Sequence, residues 1–215
     1  MTSAGTGTKA GVRRSARKAK GDGHLRRAEI LHAAERIFIA EGYEGATIRR
    51  IADEVGVSST ALYMHFPDKH AILLEICNQA LREMLEQNRE LAAKPVEAVA
   101  RLRLMLEAYM RWGFAHPNAY QLVYSAPRPL SAGAWPEDTV DLSTQCYESF
   151  AGVVREIAAA GRLRTGTADS AAQTFWMSCH GVVALLITRQ GFPWADREAL
   201  MCVTLDALMH GLLAD

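Results

Sequence analysis

Residues 47–69, TIRRIADEVGVSSTALYMHFPDK, constrain the fold of this chain more than any other segment. The first part of the segment places apolar residues at the spacing of one helix face: Ile48, Ile51, Ala52 and Val55. Thr47 can cap this helix, and Gly56 can end it because glycine adopts positive φ without steric cost. A second short helix is predicted after a cap at Ser58 or Ser59. Two short helices joined by a tight turn that contains glycine predict a helix-turn-helix.

The second of these helices separates its side chains into two faces. Leu62 and Phe66 point one way, as core residues do, whereas Thr60 and Met64 point the opposite way. The outward face is small, hydroxylated or aromatic and carries no carboxylate. This composition suits a helix in the major groove of DNA, because a carboxylate there would be repelled by the phosphates. Lys69, at the start of the next helix, is predicted to contact a phosphate.

The segment resembles the DNA-binding domain of the TetR family of transcriptional regulators. The family pattern runs T-x-x-x-I-A-x-x-x-G-V-S-x-x-x-L-Y-x-x-F-x-x-K. This chain matches the pattern in register at Thr47, Ile51, Ala52, Gly56, Val57, Ser58, Leu62, Tyr63, Phe66 and Lys69. It departs at Thr60, where glycine is frequent, and at the pair Met64-His65. Both departures lie on the face expected to read bases, so the resemblance does not extend to base preference.

The resemblance implies an all-α fold, with an N-terminal three-helix helix-turn-helix domain and a larger helical domain that binds a ligand and dimerises. The residues expected near base edges are Ser59, Thr60, Ala61 and Met64. Ala61 and Met64 offer only apolar contacts, for instance with a thymine methyl group. Arg49 matches a position that reaches DNA in relatives and is expected to read guanine. The residues expected to contact phosphates are Thr47, Ser58, Tyr63, His65 and Lys69.

The net charge of the chain is zero, but residues 1–27 hold eight Lys and Arg against one Asp. A basic end with an acidic remainder is typical of a protein that touches DNA with one end only. Residues 1–23 have little to bury and are predicted to be a disordered basic tail. Two interpretations of the tail stay open: a solvated segment without function, or an arm that adds phosphate contacts or enters a minor groove. The DNA-binding domain is then expected at 24–70 and the larger domain at 71–215.

The rest of the chain predicts helices only. Their expected bounds are 25–42, 69–92, 96–115, 118–124, 139–160, 169–189 and 196–213, with Asp68 and Asn118 as caps and a loop at 126–138. The last two helices are apolar on more than one face, which predicts a homodimer through 169–189 and 196–213. Trp176, His180 and Gly181 also resemble a W-x-x-x-H-G element of one TetR subgroup.

A second functional site is expected in the larger domain. Aromatic walls with a few polar tips suit a small, mostly apolar effector. The candidate lining residues are Trp112, His116, Tyr120, Tyr124, Tyr147, Phe150, Trp176 and His180. The competing interpretation is that part of this set is ordinary core packing, and that His180 is a hydrogen-bonded core histidine. No metal site and no cofactor are predicted, because Cys179-His180 has no partner at helical spacing.

The cysteines lie far apart in apolar helical patterns, which predicts buried free thiols in a reducing cytoplasm: Cys77, Cys146, Cys179 and Cys202. No apolar run approaches the about 18 residues of a membrane span, and no secretory signal is recognisable, so a cytoplasmic protein without a membrane partner is expected. No motif for a catalytic site is present, so an enzyme is not predicted.

The predicted function is a ligand-responsive, homodimeric DNA-binding regulator. The expected form is a repressor that a small, mostly apolar molecule releases from a pseudo-palindromic operator on double-stranded DNA. The alternative is a constitutive or protein-partnered DNA-binding regulator that has no small-molecule ligand.

Overall fold

A computed structural model of the protein describes residues 23–125 and 136–214. Over these residues the chain forms nine helices and no strand, apart from one isolated antiparallel bridge between Leu163 and Leu213. The helices are α1 (Gly23–Gly45), α2 (Ile48–Glu54), α3 (Ser59–Tyr63), α4 (Lys69–Ala92), α5 (Ala98–Ala115), α6 (Pro117–Ser125), α7 (Glu137–Ala159), α8 (Ala168–Thr188) and α9 (Arg197–Leu212). The predicted all-α architecture is confirmed. The predicted disordered tail and most of the predicted loop lie outside the described residues.

The caps predicted for α2, α3 and α4 are present. The side chains of Thr47, Ser58 and Asp68 each accept a hydrogen bond from the backbone amide three residues later, at 3.1, 3.1 and 2.7 Å. Each bond satisfies one of the free amides of a first helical turn. Gly56 adopts a φ of 69° between α2 and α3, so the chain turns there without the strain that a Cβ would introduce.

Several helix boundaries differ from the sequence prediction, most of them by one to three residues. Helix α1 begins at Gly23, inside the predicted tail, and α7 begins at Glu137, inside the predicted loop. Helix α5 begins two residues late because the Glu97 carboxylate caps it by accepting from the following amides. Helix α6 begins at Pro117, not after a cap at Asn118, because proline suits a first helical turn where its missing N–H is not needed.

Two hydrophobic cores divide the molecule, and α4 belongs to both. The first core joins α1, α2 and α3 with the first turns of α4, through residues such as Leu62, Phe66 and Ile76. The second core joins the remaining turns of α4, including Met84, with α5 to α9. The step from one core to the other occurs inside α4, beyond the domain boundary expected at residue 70. Helix α4 is therefore a rigid connection between the two parts.

Helix α8 has two apolar faces, as predicted. Phe175, Cys179 and Val183 are fully buried, whereas Met177 and Leu185 are exposed. Val182 and Leu186 lie between these two faces and are only partly buried. In the described part of the chain, α8 is the one helix long and apolar enough to cross a membrane, and 28% of its most apolar window is buried within the subunit. One such helix is weak evidence for a membrane span, because core helices of soluble proteins meet the same criterion.

The cysteine prediction holds only in part. Cys77 and Cys179 are buried free thiols, and burial raises the pKa of each to about 12. Cys146 is half-buried, and Cys202 is exposed on α9 rather than buried. The spacing of α9 explains this difference, because Met201, Leu205 and Met209 occupy the buried face and Cys202 lies beside that face.

Candidate DNA-contacting surface and ligand cavity

Helix α3 presents the outward face that its sequence predicts. Leu62 is fully buried and anchors the helix, while Thr60 and Ala61 are exposed. The exposed fractions of Tyr63 and Met64 are 54% and 83%. Tyr63 and Met64 are adjacent, so together they form an exposed apolar and aromatic patch of the kind that marks an interaction site. Ser59 and His65 are half-buried at the two ends of this face.

The exposed side chains next to α3 differ in how firmly they are held. Arg49 is 87% exposed, and its nearest carboxylate, Asp53, lies 3.9 Å away. The neighbouring Arg50 is instead held by Glu41 and Glu54 at 3.1 and 2.9 Å. Arg49 is therefore the guanidinium of α2 that can leave its partner at little cost, because an exposed ion pair contributes little.

Lys69 is placed differently from its predicted phosphate contact. Its Nζ donates to the backbone carbonyls of Tyr43, Glu44 and Ala46 at 2.7, 3.4 and 3.2 Å, and it lies 4.4 Å from the centre of the Tyr43 ring. An ammonium group has three hydrogens, so these carbonyls use its donors. Lys69 ties the turn before α2 to the start of α4, which is a structural role.

Two arginines counted in the basic end of the chain, residues 1–27, also have structural roles. Arg26 donates to the carbonyl of Val55 at 3.2 Å. Arg27 donates to the carbonyl of His65 at 2.9 Å and stacks 4.1 Å from the centre of the Phe66 ring. Both side chains come from α1 and hold the ends of α2 and α3. Sequence reasoning missed them, because their carbonyl acceptors are distant in the chain.

A cavity lies between α4, α5, α6, α7 and α8 in the second core. Its empty space is about 710 Å³, including the mouth that opens to solvent. The described residues that line it are Leu81, Met84, Gln87, Asn88, Met105, Leu106, Tyr109, Tyr124, Ser143, Cys146, Tyr147, Phe150 and Trp176. The set is mostly apolar and aromatic, with a few polar groups, which is typical of a small-molecule site.

Four predicted lining residues line this cavity: Tyr124, Tyr147, Phe150 and Trp176. Tyr120 and His180 do not line the cavity but contact Tyr109, which does. Trp112 and His116 do not line the cavity, since their rings pack on each other with centroids 5.1 Å apart. Helical spacing placed all these aromatics inside the domain, but it did not specify which neighbouring helix each one faces.

A hydrogen-bond network connects the cavity wall to α6. The Tyr120 hydroxyl lies 2.6 Å from Nδ1 of His180 and 2.9 Å from the hydroxyl of Tyr109, which lines the cavity. Burial lowers the pKa of His180, which favours a neutral imidazole that accepts a hydrogen bond at Nδ1. His180 is thus the hydrogen-bonded core histidine of the competing interpretation. Tyr109 was missed, although it follows the lining residue Met105 at helical spacing.

Some polar groups of the cavity wall are occupied by the protein itself. The Cys146 thiol donates to the carbonyl of Leu81 at 3.1 Å, and burial raises its pKa to about 11. The Asn88 amide donates to the carbonyl of Cys146 at 3.3 Å. The Tyr147 hydroxyl is buried and has no hydrogen-bond partner among the described residues. Over the same residues, no group of three His, Cys, Asp or Glu side chains could hold a metal ion.

Both domains match family models. The model described as "Bacterial regulatory proteins, tetR family" matches residues 30–76, and the model described as "Tetracyclin repressor-like, C-terminal domain" matches residues 102–211. The chain belongs to the TetR family of transcriptional regulators. It is a helix-turn-helix protein of transcription regulation, and the repressor type is supported by its relatives. These relatives are regulatory DNA-binding proteins rather than enzymes.

Individual relatives agree with this assignment. The transcriptional repressor AcnR of Corynebacterium jeikeium is 30% identical over 169 residues, which span 77% of this chain and 84% of AcnR. The ketosteroid transcriptional regulator KstR2 of Mycobacterium tuberculosis superposes with a TM-score of 0.72 at 22% identity, over 88% of this chain and 96% of KstR2. FadR of Bacillus subtilis, solved in complex with stearoyl-CoA, superposes with a TM-score of 0.71 at 18% identity, over 86% and 98% of the two chains. At these identities the two structures show a shared TetR fold.

Proposed function

We propose that this TetR-family protein is a homodimeric repressor that leaves a pseudo-palindromic operator when a small, mostly apolar molecule binds in the cavity of its second core. The observation that carries this proposal is the position of α4. Ile76 of α4 is buried in the core of the helix-turn-helix, while Leu81 and Met84, one and two turns later, line the cavity. A molecule that displaces these cavity residues therefore acts on the helix that supports the DNA-contacting surface.

The DNA-contacting surface supports the first half of the proposal. Ser59, Thr60, Ala61 and Met64 are the proposed base contacts, and Arg49 is free enough to reach a guanine. The proposed phosphate contacts are Thr47, Ser58, Tyr63 and His65. The hydroxyls of Thr47 and Ser58 accept hydrogen bonds as helix caps, and each keeps its own hydrogen for a phosphate oxygen.

The apolar faces of α8 and α9 support the homodimer. TetR regulators are dimers, and the exposed Met177, Leu185 and Val203 give these helices an apolar face that the subunit itself leaves uncovered. Covering this face with the same face of a second copy forms a two-fold interface through residues 169–189 and 196–213. Two subunits then present two copies of α3 to successive major grooves. Because its relatives are bacterial transcription regulators, the protein is expected in the cytoplasm.

The path from the cavity to the DNA supports the ligand response. Besides α4, α6 reaches both parts, since Tyr124 lines the cavity and Leu122 is buried in the first core. A ligand shifts the dimer between two spacings of its α3 helices only by the difference in its affinity for the two states. FadR, which shares the fold, was solved with stearoyl-CoA, a molecule with a large apolar part.

The proposal is tested by selecting tightly bound duplexes from random DNA and measuring fluorescence anisotropy with the purified protein at several salt concentrations. We expect a palindromic site bound by two subunits, with an affinity that falls as salt rises. Weak binding that is independent of sequence at every salt concentration contradicts the proposed operator recognition.

A further inference from the structure

A groove lies beside the cavity, between α4, α6 and α7. Its empty space is about 670 Å³, including the part that opens to solvent. The buried floor of the groove contains Cys77, Leu81 and Thr139. Exposed side chains of α7 form its rim: Val140, Ser143 and Thr144. Leu81 and Ser143 also line the cavity, so the groove and the cavity share a wall.

The groove lies where the two hydrophobic cores meet. Cys77 is buried in the core of the helix-turn-helix, whereas Leu81, one turn later on α4, is buried in the second core. Val123 of α6 also lines the groove, and it packs against both cores. A group bound in the groove therefore contacts α4 and α6, the two helices that reach both parts of the molecule.

The groove and the cavity differ in the chemistry of their walls. Five aromatic rings line the cavity, whereas the described lining of the groove has none. The rim of the groove instead offers the exposed hydroxyls of Ser143 and Thr144. Thr144 donates to the carbonyl of Val140 at 2.9 Å, and its oxygen remains an acceptor. The cavity thus suits an apolar body, and the groove suits a polar group that keeps part of its hydration.

One ligand can reach both places. Ser143 is exposed and lines both, so a ligand can pass from the mouth of the cavity into the groove over this small side chain. The combined lining extends along α4 from Cys77 to Asn88 and along α7 from Thr139 to Phe150. At the rise of an α-helix each of these spans is about 16 Å long. A molecule that occupies both places is therefore elongated.

We propose that the effector is an elongated amphipathic molecule whose apolar body packs in the cavity against Phe150 and Trp176 and whose polar end lies in the groove beside Ser143 and Thr144. The inference rests on the proposed function, because it names the ligand of the same cavity. It adds a polar end to the mostly apolar molecule that the sequence predicted, and it places this end at the boundary between the two cores.

The first test compares probes by calorimetry on the full chain without DNA. Three probes share a decyl chain and end in an uncharged maltoside, a trimethylammonium or a carboxylate. Naphthalene, which has no polar end, is the reference for the cavity alone. We expect at least one decyl probe to bind the wild-type protein. The absence of binding by all three decyl probes overturns the proposal.

Two substitutions on the rim fill the groove and leave the cavity unchanged. Val140→Trp and Thr144→Phe act at exposed positions that line only the groove. In each variant the affinity for a decyl probe that binds the wild type should fall at least about tenfold, while the affinity for naphthalene stays the same. Asp141→Trp, at an exposed position that lines neither place, is the matched control and should change neither affinity. Unchanged decyl affinity in both rim variants overturns the proposal.

Photolabelling tests the direction in which the ligand lies. Two versions of the tightest decyl probe carry a diazirine, either beside the polar end or at the far end of the chain. We expect the first to label residues that line only the groove, such as Val123, Val140 and Thr144. The second should label residues that line only the cavity, such as Met105 and Trp176. Mass spectrometry locates the labels, and labelling of the cavity alone by both versions overturns the proposal.

Adding the selected operator separates this inference from the proposed function. A decyl probe that labels both places but leaves the operator complex intact supports the inference and contradicts the ligand response. A probe that releases the operator while its polar end labels only the cavity supports the ligand response and overturns the inference.

Discussion

Tyr120 and Leu122 are two residues apart on α6 but are buried in different hydrophobic cores. The Tyr120 hydroxyl is bonded within the larger domain, 2.6 Å from Nδ1 of His180. Leu122 is 4% exposed and packs in the core of the helix-turn-helix domain. Because α6 also carries Tyr124 on the cavity wall, this short helix touches the cavity, the polar network and the first core.

The role of Leu122 can be tested by Leu122→Ala. The change leaves a cavity in the first core and is expected to cost about 2–4 kcal/mol there. Amide hydrogen exchange should become faster in α1, α2 and α3 and stay unchanged in the buried turns of α8. Leu104→Ala, at an exposed site of α5, is the matched control and should change neither region. An equal increase in exchange across both domains contradicts the assignment of Leu122 to the first core.

Gly113 allows α5 to approach α8 and α6 closely. A Cβ at this position would lie 2.6 Å from Cγ1 of Val183 and 2.9 Å from the Tyr120 ring, both buried. Gly113→Ala should therefore destabilise the protein by about 1–3 kcal/mol. Gly152→Ala on α7, where a Cβ meets nothing within 4 Å, should instead stabilise it by about 0.5–1 kcal/mol. Urea denaturation measures the free energy of unfolding of the two variants. Equal denaturation midpoints contradict the close approach of α5 to α8 and α6.

His180 should make stability depend on pH. Burial lowers its pKa in the folded state below the unfolded value of about 6.5. Its contribution to stability is therefore present above the unfolded pKa and is lost as pH falls through the folded pKa. The Tm of the wild-type protein should fall more between about pH 7 and pH 5 than the Tm of His180→Gln, which cannot protonate.

The parts of the fold that depend on neighbouring residues could be predicted from the sequence. Thr47, Ser58 and Asp68 cap helices by bonds to amides three residues away, and Gly56 turns the chain by its own φ. The fold class follows from such local signals, together with the resemblance to a family. The hydrogen bonds of Lys69 could not be predicted from neighbouring residues, because its carbonyl acceptors lie 23 to 26 residues earlier in the chain.

The cavity was predictable only in part, for a related reason. A periodic pattern gives the buried side of a helix but not the element that this side faces. Tyr147 and Trp176 line the cavity, whereas Trp112 packs on His116 away from it. Tyr109 has the same helical signal as its neighbours, and only the packing of α5 against α6 and α8 shows that its hydroxyl joins Tyr120 and His180.

Tyr63 is proposed to hold a phosphate through its hydroxyl. Its ring is 54% exposed on α3, so Tyr63→Phe removes the hydroxyl and leaves the fold intact. The affinity for DNA should fall about fivefold, and by a similar factor on every sequence, because a phosphate contact carries no base information. Anisotropy on the selected operator and on single-base variants measures this, with Tyr147→Phe as a control at a distance from the DNA. A loss confined to certain base pairs contradicts the phosphate contact.

The basic tail has two open interpretations, a DNA-contacting arm or a solvated segment, and its residues lie outside the described part of the chain. Residues 1–20 hold six Lys and Arg and no acidic residue. If the tail neutralises phosphates, its removal should reduce the slope of log K against log salt by about 0.9 for each phosphate that it neutralised. Replacing the same six residues by Gln is the matched control, since it removes the charge but keeps the length. An unchanged slope in both variants indicates that the tail is a solvated segment without function. A slope that falls only after deletion indicates that the tail acts through something other than its charge.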